Sequence, residues 1–224
     1  MLIFDLDGTL INSAEDLAAA VNVARARIGL APHTIERVMT YIGHGARELL
    51  RRSIAEDYPS PTDEFLDEVL GLFRAYYAEH LVVKTRLYAG VLETLERLNP
   101  GAAGGNGYTL AVLTNKPHRF AVPALEKLGI LPYFQFVFGE ESLARKKPDP
   151  IGVHHILAEV GANSREAVMI GDSDTDVLTA RNAACWACGV SYGLSTETFA
   201  RTPPDLVVDD LREILPLLDS RPKT

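Results

Sequence analysis

Two kinds of hydrophobic pattern divide this chain. The first is a short apolar run, Leu2-Ile3-Phe4, that stops at Asp5 and Asp7 and is broken by Gly8-Thr9. It predicts a strand that delivers two carboxylates into a turn. Beyond the turn, Leu17, Ala18, Val21, Ala24 and Ile28 recur at helical spacing until Gly29, and Ser13 with Asp16 has the spacing of a capping box. Phe65, Leu66, Val69, Leu72, Phe73, Tyr76 and Tyr77 make a second strong helical stripe. Segments 34–39 and 46–54 fit shorter helices, punctuated by Gly43-His44-Gly45 and by Pro59 and Pro61. Residues 14–82 therefore read as an all-helical block.

From there the pattern changes. Segments 108–113, 134–138, 167–170, 186–190 and 206–208 are short apolar runs with β-branched or aromatic content, and helical segments near 90–98, 117–128, 150–160, 174–183 and 210–218 alternate with them. Strands separated by helices imply parallel strands joined by crossovers. The predicted class is α/β: a doubly wound parallel-sheet core from residues 1–13 and 83–224, with the helical block inserted after the first strand. The glycine-rich stretch 99–107 lacks the Lys-Ser/Thr of a phosphate-binding loop and precedes a strand instead of opening a helix, which reads as a flexible surface turn.

Composition narrows the function classes. At 224 residues, 47% hydrophobic and 23% charged, the chain can bury a substantial core and is not a disordered type. A net charge of −8 without any basic run disfavours nucleic acid and anionic membrane as partners. No apolar run approaches the ~20 residues of a membrane span, and Asp5 interrupts the start before a signal-peptide core could form, so a cytoplasmic location is expected. Cys185 and Cys188 have the spacing of a redox or half-zinc motif, yet their neighbours read as a buried strand, and packing cysteines are the preferred reading. Either a monomer or a homodimer is compatible with these features.

The candidate chemistry starts at Asp5 and Asp7. Side chains two apart on a strand point the same way, roughly 7 Å apart. One carboxylate can then attack phosphorus while the other handles the leaving-group proton, and the pair attracts a hard divalent cation. Three more segments fall where strands of such a sheet should end, which is where ligands of open α/β sheets collect. Thr114-Asn115-Lys116-Pro117 offers a hydroxyl and backbone amides to a phosphate. Lys146-Lys147-Pro148-Asp149-Pro150 supplies a cation just before a helix whose N-cap and first turn read as Asp149 and Pro150, and charge alone does not separate the two lysines. Gly171-Asp172-Ser173-Asp174-Thr175-Asp176 packs three aspartates into five residues, more than helix capping needs, and magnesium would relieve their repulsion.

Asp5-Leu6-Asp7-Gly8-Thr9 resembles the DxDGT signature of the haloacid dehalogenase superfamily, and Thr114, the lysine before Pro148, and Gly171/Asp172/Asp176 resemble that family's remaining motifs in their usual order. The resemblance spans essentially the whole chain. It implies a Rossmann-like core with residues 14–82 as a C1 cap, and favours Lys147 over Lys146. The segment from Tyr41 to Leu50 and the Thr114-Asn115-Lys116-Pro117 run are similar to the bacterial phosphoglycolate phosphatases of that superfamily.

The resemblance implies a Mg2+-dependent phosphatase acting on a small anionic phosphate monoester, with 2-phosphoglycolate first among candidates. Asp5 would be the nucleophile and Asp7 the acid–base. Thr114, Asn115 and Lys147 would hold phosphate, and Mg2+ would sit on the Asp5 carboxylate, the Asp7 backbone carbonyl and Asp172, with Asp176 supporting. His44 and Arg47 would meet a substrate carboxylate from the cap. An acid at position 7 disfavours dehalogenation. Pyrophosphatase, sugar-phosphate phosphatase and β-phosphoglucomutase-like mutase are the neighbouring alternatives, and a non-enzymatic phosphoaspartate module is disfavoured by the leading Asp-x-Asp and the inserted block.

Overall fold

The computed structural model describes residues 1–99 and 107–219, so most of the glycine-rich stretch, 100–106, lies outside the described residues. Strand β1 (Leu2–Phe4) is followed by β2 (Ile11–Asn12), four helices, and β3 (Arg86–Leu87), which pairs antiparallel with β2. Strands β4 (Leu110–Pro117), β5 (Phe136–Glu140), β6 (Val168–Gly171), β7 (Trp186–Val190) and β8 (Leu206–Val208) join β1 in a six-stranded sheet of order β5-β4-β1-β6-β7-β8. Every pairing in that sheet is parallel. The chain leaves β1 toward β4 and β5, then returns to the other side of β1 for β6, so the strand order reverses beside β1. A crevice opens at the carboxyl ends of the strands at such a reversal.

Alternation along β1 builds both faces. Leu2 and Phe4 pack with Val91 and Leu95 of α5 (Val91–Leu98), Ala121 and Leu125 of α6 (His118–Lys127), and Ile214 of α9 (Ile214–Asp219). Ile3 faces the other way, onto Val153 and Ile156 of α7 (Ile151–Val160) and Val177 and Ala180 of α8 (Asp174–Asn182). Helices thus cover both sides of the sheet, the doubly wound arrangement the pattern predicts. Cys185 belongs to one face cluster and Cys188 to the other, so the sheet stands between the two thiols. Both are buried and unpaired, and burial pushes them up to about 11 and about 12 respectively, which makes them poor nucleophiles and supports the packing reading.

Between β2 and β3 lie α1 (Ala14–Arg27), α2 (Ile35–Met39), α3 (Ala46–Ile54) and α4 (Asp63–Glu79). They share a separate apolar cluster that includes Val21, Leu50, Ile54, Val69, Phe73 and Tyr77, and meets Phe120 and Ala124 of α6. α6 therefore has two apolar faces, one for the sheet and one for the inserted helices.

Local expectations shift at three places, each for a tertiary reason. Ser13 is the N-cap residue of α1, but its hydroxyl donates to Asp7 Oδ1 at 2.6 Å instead of closing a capping box. Asp16 turns to the segment before β3, where it accepts from the backbone N–H groups of Val83, Lys84 and Thr85 and from the Thr85 hydroxyl. A carboxylate facing three unpaired N–H groups gains more there than from one bond at its own helix end. β4 continues four residues past the apolar run, through Thr114–Pro117, because those polar residues are buried where their partners lie. α7 begins one residue late, with Pro150 at its N-cap and Asp149 Oδ1 accepting from Ile151 N at 3.0 Å.

The Asp16 clasp ties the start of the insert to its end. Burial alone would raise the Asp16 carboxyl, but the hydrogen bonds from Thr85, Lys84 and Val83 outweigh it and hold the pKa below the ordinary 3.8. We expect Asp16→Ala to cost about 3 kcal/mol at neutral pH, since truncation leaves buried donors unpaired. A depressed carboxyl stabilises above its unfolded pKa and loses that contribution as pH falls through the folded one. Denaturant midpoints of wild type and variant should therefore differ at pH 7 and converge below pH 3.8. A constant gap across that range would contradict the clasp.

Candidate active site

Asp5 extends β1 by one ladder bond, its N–H donating to Ile170 O at 2.8 Å, and so enters the crevice at the reversal point. Gly8 turns the chain away with φ +89°, and a Cβ there would stand 2.1 Å from Asp172 Oδ2. Only glycine allows both the backbone conformation and the approach of that carboxylate. Asp172 follows β6, and its Oδ2 accepts from Leu194 N at 2.7 Å and Ser195 N at 3.1 Å. Asp176, in the first turn of α8, closes a capping box with Ser173. Oxygen atoms of Asp5, Asp172 and Asp176 lie within 4.8 Å of one another, and all three residues are buried.

One ammonium serves this crowd. Lys147 Nζ lies 2.6 Å from Asp176 Oδ1 and 2.8 Å from Asp5 Oδ1. Burial pushes the Asp5 carboxyl up, with Lys147 opposing and the charge of Asp176 adding to the rise. Burial raises Asp172 too, reinforced by Asp176 and Asp5. The Asp5 Oδ1 contact is an ion pair without a directed hydrogen bond, leaving a buried anionic oxygen incompletely satisfied. An all-oxygen donor set with an excess of buried negative charge fits a hard divalent cation. Asp176 has both oxygens engaged by Lys147 and Ser173, so Asp5 and Asp172 have more free capacity for such an ion.

Asp7 sits beside this cluster with a partner set of its own. Its carboxylate accepts from Ser13 Oγ and from Lys116 Nζ, at 2.9 Å to Oδ1 and 3.1 Å to Oδ2. Lys116 also donates to Tyr77 OH of α4 at 2.7 Å. Burial alone would lower the Lys116 ammonium, but Asp7 and Tyr77 outweigh it and raise the pKa. Sequence reasoning passed over Lys116 and Tyr77 as site residues. The available signal was the place of Lys116, two residues after Thr114 in the segment that follows the apolar run. Tyr77 occupies a core position of its helical stripe and carries no such signal.

The remaining candidates separate. Thr114 and Asn115 line a small cavity, of about 40 Å³, together with Asp5, Asp7 and Lys116. Asn115 Nδ2 donates to Lys147 O at 3.1 Å and to Gly43 O, on the inserted block, at 3.0 Å. Lys146 is the outer of the two lysines and bonds Glu140 and the carbonyl of His44. Gly43 and Gly45 face the cavity, whereas the His44 ring lies toward α8, with Nδ1 3.4 Å from Thr175 Oγ1. Burial, aided by Arg52, lowers the His44 pKa. Arg47 does not join the site. It is exposed on the α4 side of α3, where Asp63, at 2.6 Å, and Asp67 occupy its guanidinium. It is not among the described residues that line the cavity.

A parallel sheet carrying a buried acid after β1, a lysine paired with it and acidic residues after β6 defines a hydrolase class. The chain belongs to the haloacid dehalogenase-like hydrolase family, whose model matches residues 2–190. It is 37% identical to phosphoglycolate phosphatase 1 of Pseudomonas aeruginosa over 98% of this chain and 79% of that protein. It is 36% identical to phosphoglycolate phosphatase of Agrobacterium fabrum over 97% of this chain and 91% of that protein. The crystal structure of a predicted phosphoglycolate phosphatase from Haemophilus somnus superposes with a TM-score of 0.89 at 34% identity, covering 97% of each chain. Among the described residues no helix is long and apolar enough to cross a membrane.

Gly8→Ala tests the packing that places Asp172. The added methyl meets a carboxylate held by two backbone N–H groups, in a backbone conformation that disfavours any Cβ. We expect at least ~2 kcal/mol of destabilisation in denaturant unfolding. Wild-type stability in the variant would contradict the close approach.

Proposed function

We propose that this protein is a Mg2+-dependent phosphatase of small phosphate monoesters, with 2-phosphoglycolate as substrate and glycolate and phosphate as products. The observation that carries the chemistry is the buried Asp5–Lys147–Asp176–Asp172 cluster, whose Asp5 lines one cavity together with Asp7. The relatives' names carry the choice of substrate.

In this reading an Asp5 oxygen attacks phosphorus in line, the ester P–O bond breaks, and Asp7 gives its proton to the departing glycolate oxygen. Water then attacks the aspartyl-phosphate with Asp7 taking its proton, and phosphate leaves. Thr114 and Asn115 position the phosphate, and Lys147, braced by Asp176, neutralises its equatorial oxygens. Mg2+ would be held by Asp5, the Asp7 backbone carbonyl and Asp172, with Asp176 supporting. When bound, the ion would supply positive charge that offsets the carboxylates and polarises the phosphate. Residues 14–82 act as a cap on the core of 1–13 and 83–224, bringing Gly43, His44 and Gly45 to the rim. The enzyme works in the cytoplasm as a monomer or homodimer.

Two measurements test the reading. With Mg2+, kcat/KM for 2-phosphoglycolate should exceed that for sugar phosphates and pyrophosphate, and Asp5→Asn should lose ~10³-fold or more of kcat because an amide cannot form the acyl phosphate. Near-normal turnover by Asp5→Asn would rule out the covalent route. Saturating Mg2+ should raise the Tm of the wild type by about 5–10 °C, reversed by chelator, and leave Asp172→Ala unmoved. An equal shift in both proteins would place the ion elsewhere.

A further inference from the structure

The cavity that opens from Asp5 and Asp7 is roofed by apolar side chains, Leu17, Ile42, Leu49 and Phe73 among them, and Lys116 is the one basic side chain among its described lining residues. That ammonium is buried, and it is anchored from two directions: by Asp7 on the core and by Tyr77 OH on α4. Lys147 is committed to Asp5 and Asp176 at the phosphate end. Arg47 is held on the surface by Asp63 and Asp67. A second anion on the substrate therefore has one cation to meet once its phosphate stands before Asp5.

We infer that Lys116 is the specificity-determining residue of this site, receiving the carboxylate of a short α-phosphorylated acid through its ammonium, with Tyr77 as the positioning residue that fixes it. The inference rests on the phosphoglycolate reading and assigns its second anion a partner. Reach supports it. Asp7 must stand at the ester oxygen to protonate it, and in 2-phosphoglycolate the carboxyl carbon is two bonds beyond that oxygen. Lys116 Nζ stands 2.9 Å from Asp7 Oδ1, so a carboxylate on so short a tail stays near the ammonium. An ammonium has three donors, and here both oxygens of a single carboxylate share its attention with Tyr77. When one Asp7 oxygen turns to the leaving group, an N–H of Lys116 becomes free for the incoming carboxylate. In a cavity with an apolar roof, a charge-assisted bond of this kind is strong, and a neutral tail forgoes it.

The test compares 2-phosphoglycolate with 2-hydroxyethyl phosphate, which has similar length and no carboxylate, in steady-state assays with Mg2+. Wild type should favour phosphoglycolate by at least ~10-fold in kcat/KM, and Lys116→Met should reduce that preference ~10-fold or more. Tyr77→Phe keeps the ring and removes one anchor. It should raise KM for phosphoglycolate ~3-fold or more relative to KM for 2-hydroxyethyl phosphate, with any change in kcat shared equally by the two esters. Equal losses on both esters in Lys116→Met would overturn the inference and leave Lys116 as a support for Asp7, as would an unchanged preference. If Lys116→Met does not fold, Tyr77→Phe decides, and an unaltered KM ratio there overturns it. A wild type without preference for the carboxylate ester would instead refute the phosphoglycolate reading itself, a failure visible before any substitution is made.

Discussion

Three buried carboxylates crowded together, two of them paired with one ammonium, are the constraint from which the rest of this structure follows. Asp5, Asp172 and Asp176 could not be held within 4.8 Å of one another in a low-dielectric site without compensation. Lys147 supplies part of it, and backbone N–H groups of Leu194 and Ser195, with the N–H and hydroxyl of Ser173, supply more. Those donors come from the segment before α7, the start of α8 and the loop after β7, and Asp5 itself comes from the end of β1. Four separated stretches of sequence must therefore converge, which a parallel sheet with its strand order reversing at β1 accomplishes. Three carboxylates against one ammonium still leave an excess of negative charge in that cluster.

The inserted helices are joined to this core by polar contacts at the site as well as by the apolar face of α6. Tyr77 reaches Lys116, Gly43 O receives Asn115, and His44 O receives Lys146. Each of these core partners is next to a proposed phosphate-binding residue: Asn115 and Lys116 follow Thr114, and Lys146 precedes Lys147. Any movement of the helical block must break or make bonds to side chains next to those residues, without a long relay through the core.

Much of the fold was legible because the hydrophobic pattern is strong where the elements are long. The alternation of apolar runs and amphipathic stripes gave the order of strands and helices, with β7 and β8 matching to the residue. Misreadings fall where a side chain left its local partner for a distant one. Ser13 and Asp16 have the spacing of a capping box, but Asp7 and the 83–85 backbone compete for them and win. Paired strands as short as β2 and β3 carry no periodicity to detect. At the site, Asp5, Asp7, Thr114, Lys147, Asp172 and Asp176 stood out as charged or hydroxyl residues at strand ends, and the structure brings them together. Lys146 and Lys147 could not be separated by charge, whereas burial separates them at once, 3% exposure for Lys147 against a solvent-facing Lys146.

Arg47 and Lys116 mark the limit of reading cations from sequence. Arg47 follows the glycine-flanked loop and looks placed to face a ligand, yet a helix turns 100° per residue, and the face it shares with α4 presents Asp63 and Asp67. Lys116 looks like one polar residue in a turn, yet β4 runs on through it and delivers its ammonium to the interior. The difference lies in what each element packs against, information carried by the partner and not by the residue. Net charge points the same way. In a chain of net charge −8, a cation that is to act on an anion must sit in a buried position, where a low dielectric amplifies it and surface acids screen it less. Lys147 and Lys116 meet that requirement, and Arg47, already satisfied at the surface, does not.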